Sequence, residues 1–136
     1  MAEEAAGPMN PALEGKAYPA VPFTVDPERV ARFRATFGEE RDIVPPTFAT
    51  AAEWAVFPGI IADPVLGLDF SRAVHAQQEY EWHRPFVVGE TLTARPRIAL
   101  IREKGGHGFL TVETELIGAD GAIVVVARAT LIERGA

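Results

Sequence analysis

The sequence predicts an α+β protein in which an antiparallel sheet wraps around one central, buried helix. Three observations predict it. The stretch at about residues 47–57 is apolar almost all round, and such a helix belongs inside a protein. From residue 76 onward the hydrophobic period changes from helical to two, giving segments with one apolar and one polar face. Gly105-Gly106 and Asp120-Gly121 are turn signals that divide these segments into three or four long strands. Wrapping the sheet around the helix buries both apolar surfaces at once.

The elements follow in chain order. Residues 1–14 read as a flexible arm, and residues 15–136 as a single domain. A short strand is expected around residues 15–25, broken by Pro19 and Pro22. Asp26-Pro27-Glu28 is a helix start: a capping carboxylate, a proline in the first turn and an acid favoured by the helix dipole. Val30, Phe33 and Phe37 form one apolar stripe on it, and Gly38 is its natural C-terminal cap. Pro45-Pro46 opens the second helix, whose polar residues Thr47, Thr50 and Glu53 are three apart and share one arc. Pro58-Gly59 is expected to end or kink it. Beyond the loop, Tyr80 and Trp82 alternate with Glu79, Glu81 and His83 until Arg84-Pro85 interrupts. Leu92, Ala94, Ile98 and Leu100 share an apolar face, opposite Arg95 and Arg97. Leu110, Val112 and Leu116 repeat the pattern, as do Ile123, Val125, Ala127, Ala129 and Leu131, which lie opposite Arg128 and Thr130. This is the hot-dog arrangement. A cone-shaped α+β fold, with helices closing an open curved sheet, is the alternative that the central helix disfavours. A sheet with long strands and a partly exposed edge would also dimerise readily.

Composition narrows the function. A chain of 136 residues can bury about two-thirds of its unfolded surface, so a core forms without staples. Zero cysteines exclude disulfides, thiolate metal sites and cysteine nucleophiles. With 13 basic and 19 acidic residues, a net charge of −6 argues against nucleic acid. The longest apolar runs, residues 54–62 and 121–127, are shorter than the roughly 20 residues that span a bilayer. The expectation is a cytoplasmic protein with no membrane partner.

Two stretches resemble a known family. Pro45-Pro46-Thr47-Phe48 opens the buried helix, and His75-Ala76-Gln77-Gln78-Glu79-Tyr80-Glu81-Trp82-His83-Arg84-Pro85 runs on into Val88-Gly89-Glu90-Thr91-Leu92. Together they resemble the MaoC-like hydratase/dehydratase superfamily, most closely its N-terminal, FAS1-like dehydratase half, over residues 15–133. The resemblance implies a thioester substrate carried on coenzyme A or acyl carrier protein, and a double hot-dog unit made with a second hot-dog chain or a second copy. It also implies that chemistry is done by an Asp and a His five residues apart, one handling water and the other the substrate proton. Here Phe70, Gln78 and Arg102 stand five residues before His75, His83 and His107, and residues 39–44 hold no histidine. The chain therefore resembles the half that shapes the acyl tunnel and lacks the half that performs the chemistry.

Individual candidates divide between functional and plainer readings. Glu53, if half-buried, would have a raised pKa and could activate water as in an acyl-thioester hydrolase; the plainer reading puts it on the solvent or interface side beside Thr50. His75 is the second catalytic candidate, and it and His83 are otherwise hydrogen-bonded structural residues. The acyl chain is expected to thread beside the central helix, lined by Phe48, Trp54, Phe57, Tyr80 and Trp82. Arg84, with Arg95, Arg97 and Arg102, would hold phosphates at the rim, or would simply face water as strand charges do. Backbone donors from Thr47 onward would polarise the thioester carbonyl, or be capped. No metal and no cofactor is expected. The function these residues support is a substrate-binding, non-catalytic component of an (R)-specific enoyl-thioester hydratase or dehydratase. A homodimeric hydrolase using Glu53 and a non-enzymatic acyl-thioester binding protein are the alternatives.

Overall fold

A computed structural model describes residues 8–135. A short strand β1 (Val21–Thr24) is followed by helix α1 (Pro27–Thr36). A 3-10 turn, Pro46–Phe48, then runs straight into helix α2 (Ala49–Ile61). Four longer strands complete the chain: β2 (Ala73–Trp82), β3 (Thr91–Lys104), β4 (His107–Ile117) and β5 (Ile123–Glu133). All neighbours are antiparallel, in the order β1-β3-β4-β5-β2, which leaves β1 and β2 at the edges. Phe48, Ala49, Ala52, Val56 and Ile60 of the helix segment join Leu92, Ile98, Leu110, Val112, Leu116 and Val125 of the sheet in one core. This is the hot-dog fold that the sequence predicts. No helix among the described residues is long and apolar enough to cross a membrane.

Local chemistry explains the helix ends. Asp26 accepts a hydrogen bond from the Arg29 N–H at 3.1 Å and caps α1, with Pro27 in the first turn. Gly38 follows the last turn at φ +69°, the left-handed conformation that glycine adopts without strain. Phe33 packs between Phe37 and Phe48, at ring separations of 4.9 and 5.4 Å. Phe37 itself, expected on the buried stripe, is 69% exposed and lies just past the last helical residue, at the C-terminal cap.

Four expectations are corrected. α2 runs through Pro58 to Ile61, since Pro58 and Gly59 lie on the exposed side, where a missing backbone bond costs least. The same side carries Trp54 and Ala55, so α2 is covered on one face only and is not enclosed all round. Part of the expected arm is docked: Met9 is buried, and the Asn10 N–H donates to the Leu66 carbonyl at 2.9 Å. Residues 1–7 of that arm lie outside the described residues. Finally, Leu100 does not share the face of Ile98. A bulge between them moves Leu100 opposite Thr111, on the outer face, and brings Ile101 opposite buried Leu110.

The outer face of the sheet carries a row of alternating charge. Arg97, Glu113, Arg128 and Glu79 are directly opposite one another on β3, β4, β5 and β2. Arg97 Nε donates to Glu113 at 3.0 Å, while Arg128 donates to Glu113 at 2.8 Å and to Glu79 at 3.1 Å. Opposite charges at facing positions favour this register over its neighbours.

Phe48, 2% exposed between Phe23 and Phe33, marks where the helix start is tied to the core. Phe48→Ala is expected to lower stability by about 3–5 kcal/mol, measured by denaturant unfolding. A loss below about 1 kcal/mol would show that this contact is dispensable.

Candidate functional site

The sheet edge formed by β2 lies beside α2, and between them is a line of polar side chains. Period two along β2 turns Gln78 and Tyr80 toward the helix. Glu53, on the second turn of α2, is fully buried beneath them. The Tyr80 hydroxyl donates to Glu53 Oε1 at 3.1 Å, and Gln78 Nε2 donates to Oε2 at 3.0 Å. The other proton of that amide goes to the Arg128 carbonyl at 3.2 Å, and its oxygen meets His75 Nε2 at 3.1 Å. Tyr80 Oη is also 2.6 Å from Thr50 Oγ1. Every donor to Glu53 is neutral. Burial therefore dominates and lifts its pKa to about 7, against the opposing pull of the Gln78 and Tyr80 hydrogen bonds. Burial, with the nearby carboxylate, also pushes Tyr80 up to about 12.

Three clefts surround this line. One of about 110 Å³ lies between α2 and β2 and is lined by Thr50, Trp54, Phe57, Phe70, His75 and Gln78 among others. A second, of about 560 Å³, opens at the start of α2 between Phe33, Phe37, Glu39, Pro45, Thr47 and Thr50. Thr50 borders both. A third, of about 250 Å³, lies on the other side of the helix start, lined by Val44, Pro46, Trp82, His83, Arg84 and Phe86 among others. No side chain caps the N-terminal end of this helix segment, and the Phe48 N–H is taken by the Pro45 carbonyl at 2.9 Å. The backbone donor left at this end is Thr47, one residue ahead of the bond made by Phe48.

The predicted residues distribute unevenly over these features. Thr47 lines the large cleft, Trp54 and Phe57 the narrow one, and Trp82 the third, where it packs on Phe86 at 5.0 Å. Phe48 is a core residue, not a lining one, because it fills the space between Phe23 and Phe33. Tyr80 turns its hydroxyl to Glu53 and Thr50. His75 is held by Gln78 at the exposed edge. Arg84 is not a free phosphate clamp: both ends of its fork bond Glu90, at 2.9 and 2.7 Å. Glu53 is not on the solvent side, and it is not among the lining residues of these three clefts. Both of its carboxylate oxygens accept protein hydrogen bonds, from Tyr80 and Gln78.

Two groupings escape the sequence reading. Gln78 is the residue that binds Glu53 to the edge strand, signalled only by its sharing a strand face with Tyr80. Glu81 and His83 also approach to 3.4 Å on one face of the strand end, although both are about half exposed, so the pair is weak. Among the described residues no group of His, Cys, Asp and Glu converges to hold a metal ion.

The raised pKa of Glu53 has a stability consequence of definite sign. Its folded-state value, about 7, exceeds the ordinary 4.5. The folded chain therefore binds the extra proton between those values, and stability is lost as pH rises through about 7. The loss is expected to reach up to about 3 kcal/mol in the wild type by about pH 8.5 and to vanish in Glu53→Gln. Thermal melts of both proteins across this range measure it; parallel curves would show that Glu53 titrates normally.

Comparison with known proteins places this geometry in a family. The family described as FAS1-like, dehydratase domain region, matches residues 17–127. A UPF0336 protein of Leifsonia xyli subsp. xyli is 34% identical, over 94% of this chain and 97% of its own length. Among solved structures, a C-terminally truncated HadBC (3R-hydroxyacyl-ACP dehydratase) complex from Mycobacterium tuberculosis superposes with a TM-score of 0.71 at 23% identity, over 88% of this chain and 96% of that one. A MaoC-like dehydratase superposes with a TM-score of 0.77 at 20% identity, covering 92% of this chain and 43% of that longer one. At these identities the superpositions speak for the hot-dog fold, and the match over residues 17–127 speaks for kinship: the chain belongs to the FAS1-like dehydratase domain family.

Proposed function

We propose that the chain is the substrate-binding, non-catalytic hot-dog component of an (R)-specific enoyl-thioester hydratase or dehydratase acting on coenzyme A or acyl-carrier thioesters. One observation carries this reading: none of the three histidines is partnered by an aspartate. His75 contacts Gln78, His83 contacts Glu81, and His107 accepts from the Gly135 N–H. Adding water across an enoyl thioester needs a base for the water and an acid for the α-carbon, and no histidine–aspartate pair stands at the start of α2 to supply them. What stands there instead suits binding. Aromatic walls, the free Thr47 backbone donor and the Thr50 hydroxyl would hold an acyl chain and its carbonyl.

The missing chemistry would come from a second hot-dog chain bearing an Asp/His dyad. β2 is an edge strand with one side unpaired, flanked by Trp54, Phe70 and Val74, which are 50%, 45% and 43% exposed. An open strand edge beside exposed aromatic groups is a natural docking surface, and in this reading the partner covers it. The HadBC structure, named as a complex and as a 3R-hydroxyacyl-ACP dehydratase, supports both a thioester substrate and a partner chain.

The purified chain alone is expected to leave crotonyl-CoA unchanged, neither hydrated nor hydrolysed. Co-expression with a dyad-bearing hot-dog chain is expected to yield a complex that hydrates it, followed by loss of enoyl absorbance. Hydration by a homogeneous preparation of this chain alone overturns the proposal.

A further inference from the structure

The line of hydroxyls behind Thr50 can point only one way at a time. Glu53 Oε1, Tyr80 Oη and Thr50 Oγ1 are joined in series, at 3.1 and 2.6 Å. A hydroxyl has one proton to give. When Glu53 is ionised it accepts from Tyr80, Tyr80 then accepts from Thr50, and Thr50 has no proton left. When Oε1 carries a proton, Glu53 donates to Tyr80, Tyr80 donates to Thr50, and the Thr50 proton is free. Gln78 bonds Oε2 in both states, since its Nε2 is a donor only. Of Glu53, Tyr80 and Thr50, it is Thr50 that borders the clefts, and it borders two of them.

We propose that Thr50 is a switchable hydrogen-bond donor to the carbonyl of a thioester seated beside α2, turned on by a proton on buried Glu53 and relayed by the Tyr80 hydroxyl. Thr50 is the ligand-binding residue; Tyr80 and Glu53 act through it as positioning residues. The inference rests on the acyl-thioester reading above. A thioester carbonyl only accepts hydrogen bonds, so it fits the protonated state and not the ionised one.

The surroundings leave Glu53 as the group that sets this state. On β2 it meets Tyr80 and Gln78, with His75 beyond the amide. On β5 the Arg128 carbonyl holds Gln78, while the Arg128 guanidinium is bonded to Glu113, Glu79 and Glu81. Thr50 is its polar neighbour on α2. Glu39, at the far end of the large cleft, is held down to about 2 by hydrogen bonds from Arg41 and stays ionised throughout. The Glu53 carboxyl, lifted to about 7 by burial, changes state in the range where an enzyme works.

The test uses crotonyl-pantetheine, which carries no titrating phosphate, and calorimetric titration at about pH 5.5 and about pH 8.5. Losing one neutral hydrogen bond is expected to weaken wild-type binding about 3- to 10-fold at the higher pH. In E53Q the new amide carbonyl accepts from Gln78 and its N–H donates to Tyr80, which fixes the donor state; binding is then strong and equal at both pH values. T50V is expected to bind at both pH values as weakly as the wild type does at high pH, whereas Y80F, which removes the acceptor that takes the Thr50 proton, is expected to bind at both as strongly as the wild type does at low pH. H75Q is expected to keep the wild-type dependence, which separates Glu53 from its titratable neighbour. Wild-type binding of equal strength at the two pH values, or a dependence that survives in E53Q, overturns the switch alone. Absence of binding at every pH overturns the acyl-thioester reading and the ligand assigned to the switch with it.

Discussion

Helix α2 has almost no polar surface of its own, and covering it decides the rest of the architecture. Its buried side is small at the start, with Ala49 and Ala52, and larger toward the end, with Val56, Phe57 and Ile60. Strands β3, β4 and β5 supply the opposing surface through Leu92, Ile98, Leu110, Leu116 and Val125, all at or near zero exposure. A flat sheet would touch a cylinder along a single line only, and the right-handed twist of a sheet widens that contact. The bulge in β3 belongs to the same demand. By shifting phase after Ile98, it puts Ile101 on the inner surface in place of Leu100.

The two faces of the sheet treat the same chemical group in opposite ways. On the outer face, burial works against ionisation of Glu113, yet the Arg128 and Arg97 guanidinium groups outweigh it and hold the carboxyl below its ordinary range. Glu90, bonded by Arg84, is lowered in the same manner. On the inner face Glu53 meets only neutral donors, and desolvation wins. A carboxylate placed against a guanidinium becomes a structural rivet. Placed under a tyrosine and a glutamine, it becomes a group whose charge is still negotiable near neutrality.

Much of this was legible in the chain, and the failures share a cause. The capped start of α1, the start of α2, the hairpin turns and the alternating strands are all short-range patterns, set by residues within a few positions of one another. The family resemblance in residues 75–92 is likewise local. Glu53 was misplaced because its burial depends on Gln78 and Tyr80, 25 and 27 residues away and on a different element. Arg84 looked free because its partner Glu90 lies across a turn whose shape the sequence does not announce. Pro58 reads as a stop or a kink, and the stop fails because propensity cannot tell which side of a helix faces solvent. The phase of Leu100 failed because one unpaired residue reverses an otherwise correct alternation. Distances between elements, not residue types, were what the sequence reading lacked.

Strand order also sets a timetable for biosynthesis. β2 is made directly after α2, but the strand it pairs with, β5, is the last of the five to be made. Until then β2 has no sheet partner, and the polar line that closes over Glu53 cannot be held in place, because Gln78 leans on the Arg128 carbonyl of β5. Arg128, which also anchors Glu79 from its own place in the charged row, arrives with the same segment. β5 is thus the closing member of this sheet: the polar line beside the helix is complete only once the fifth strand has joined the other four.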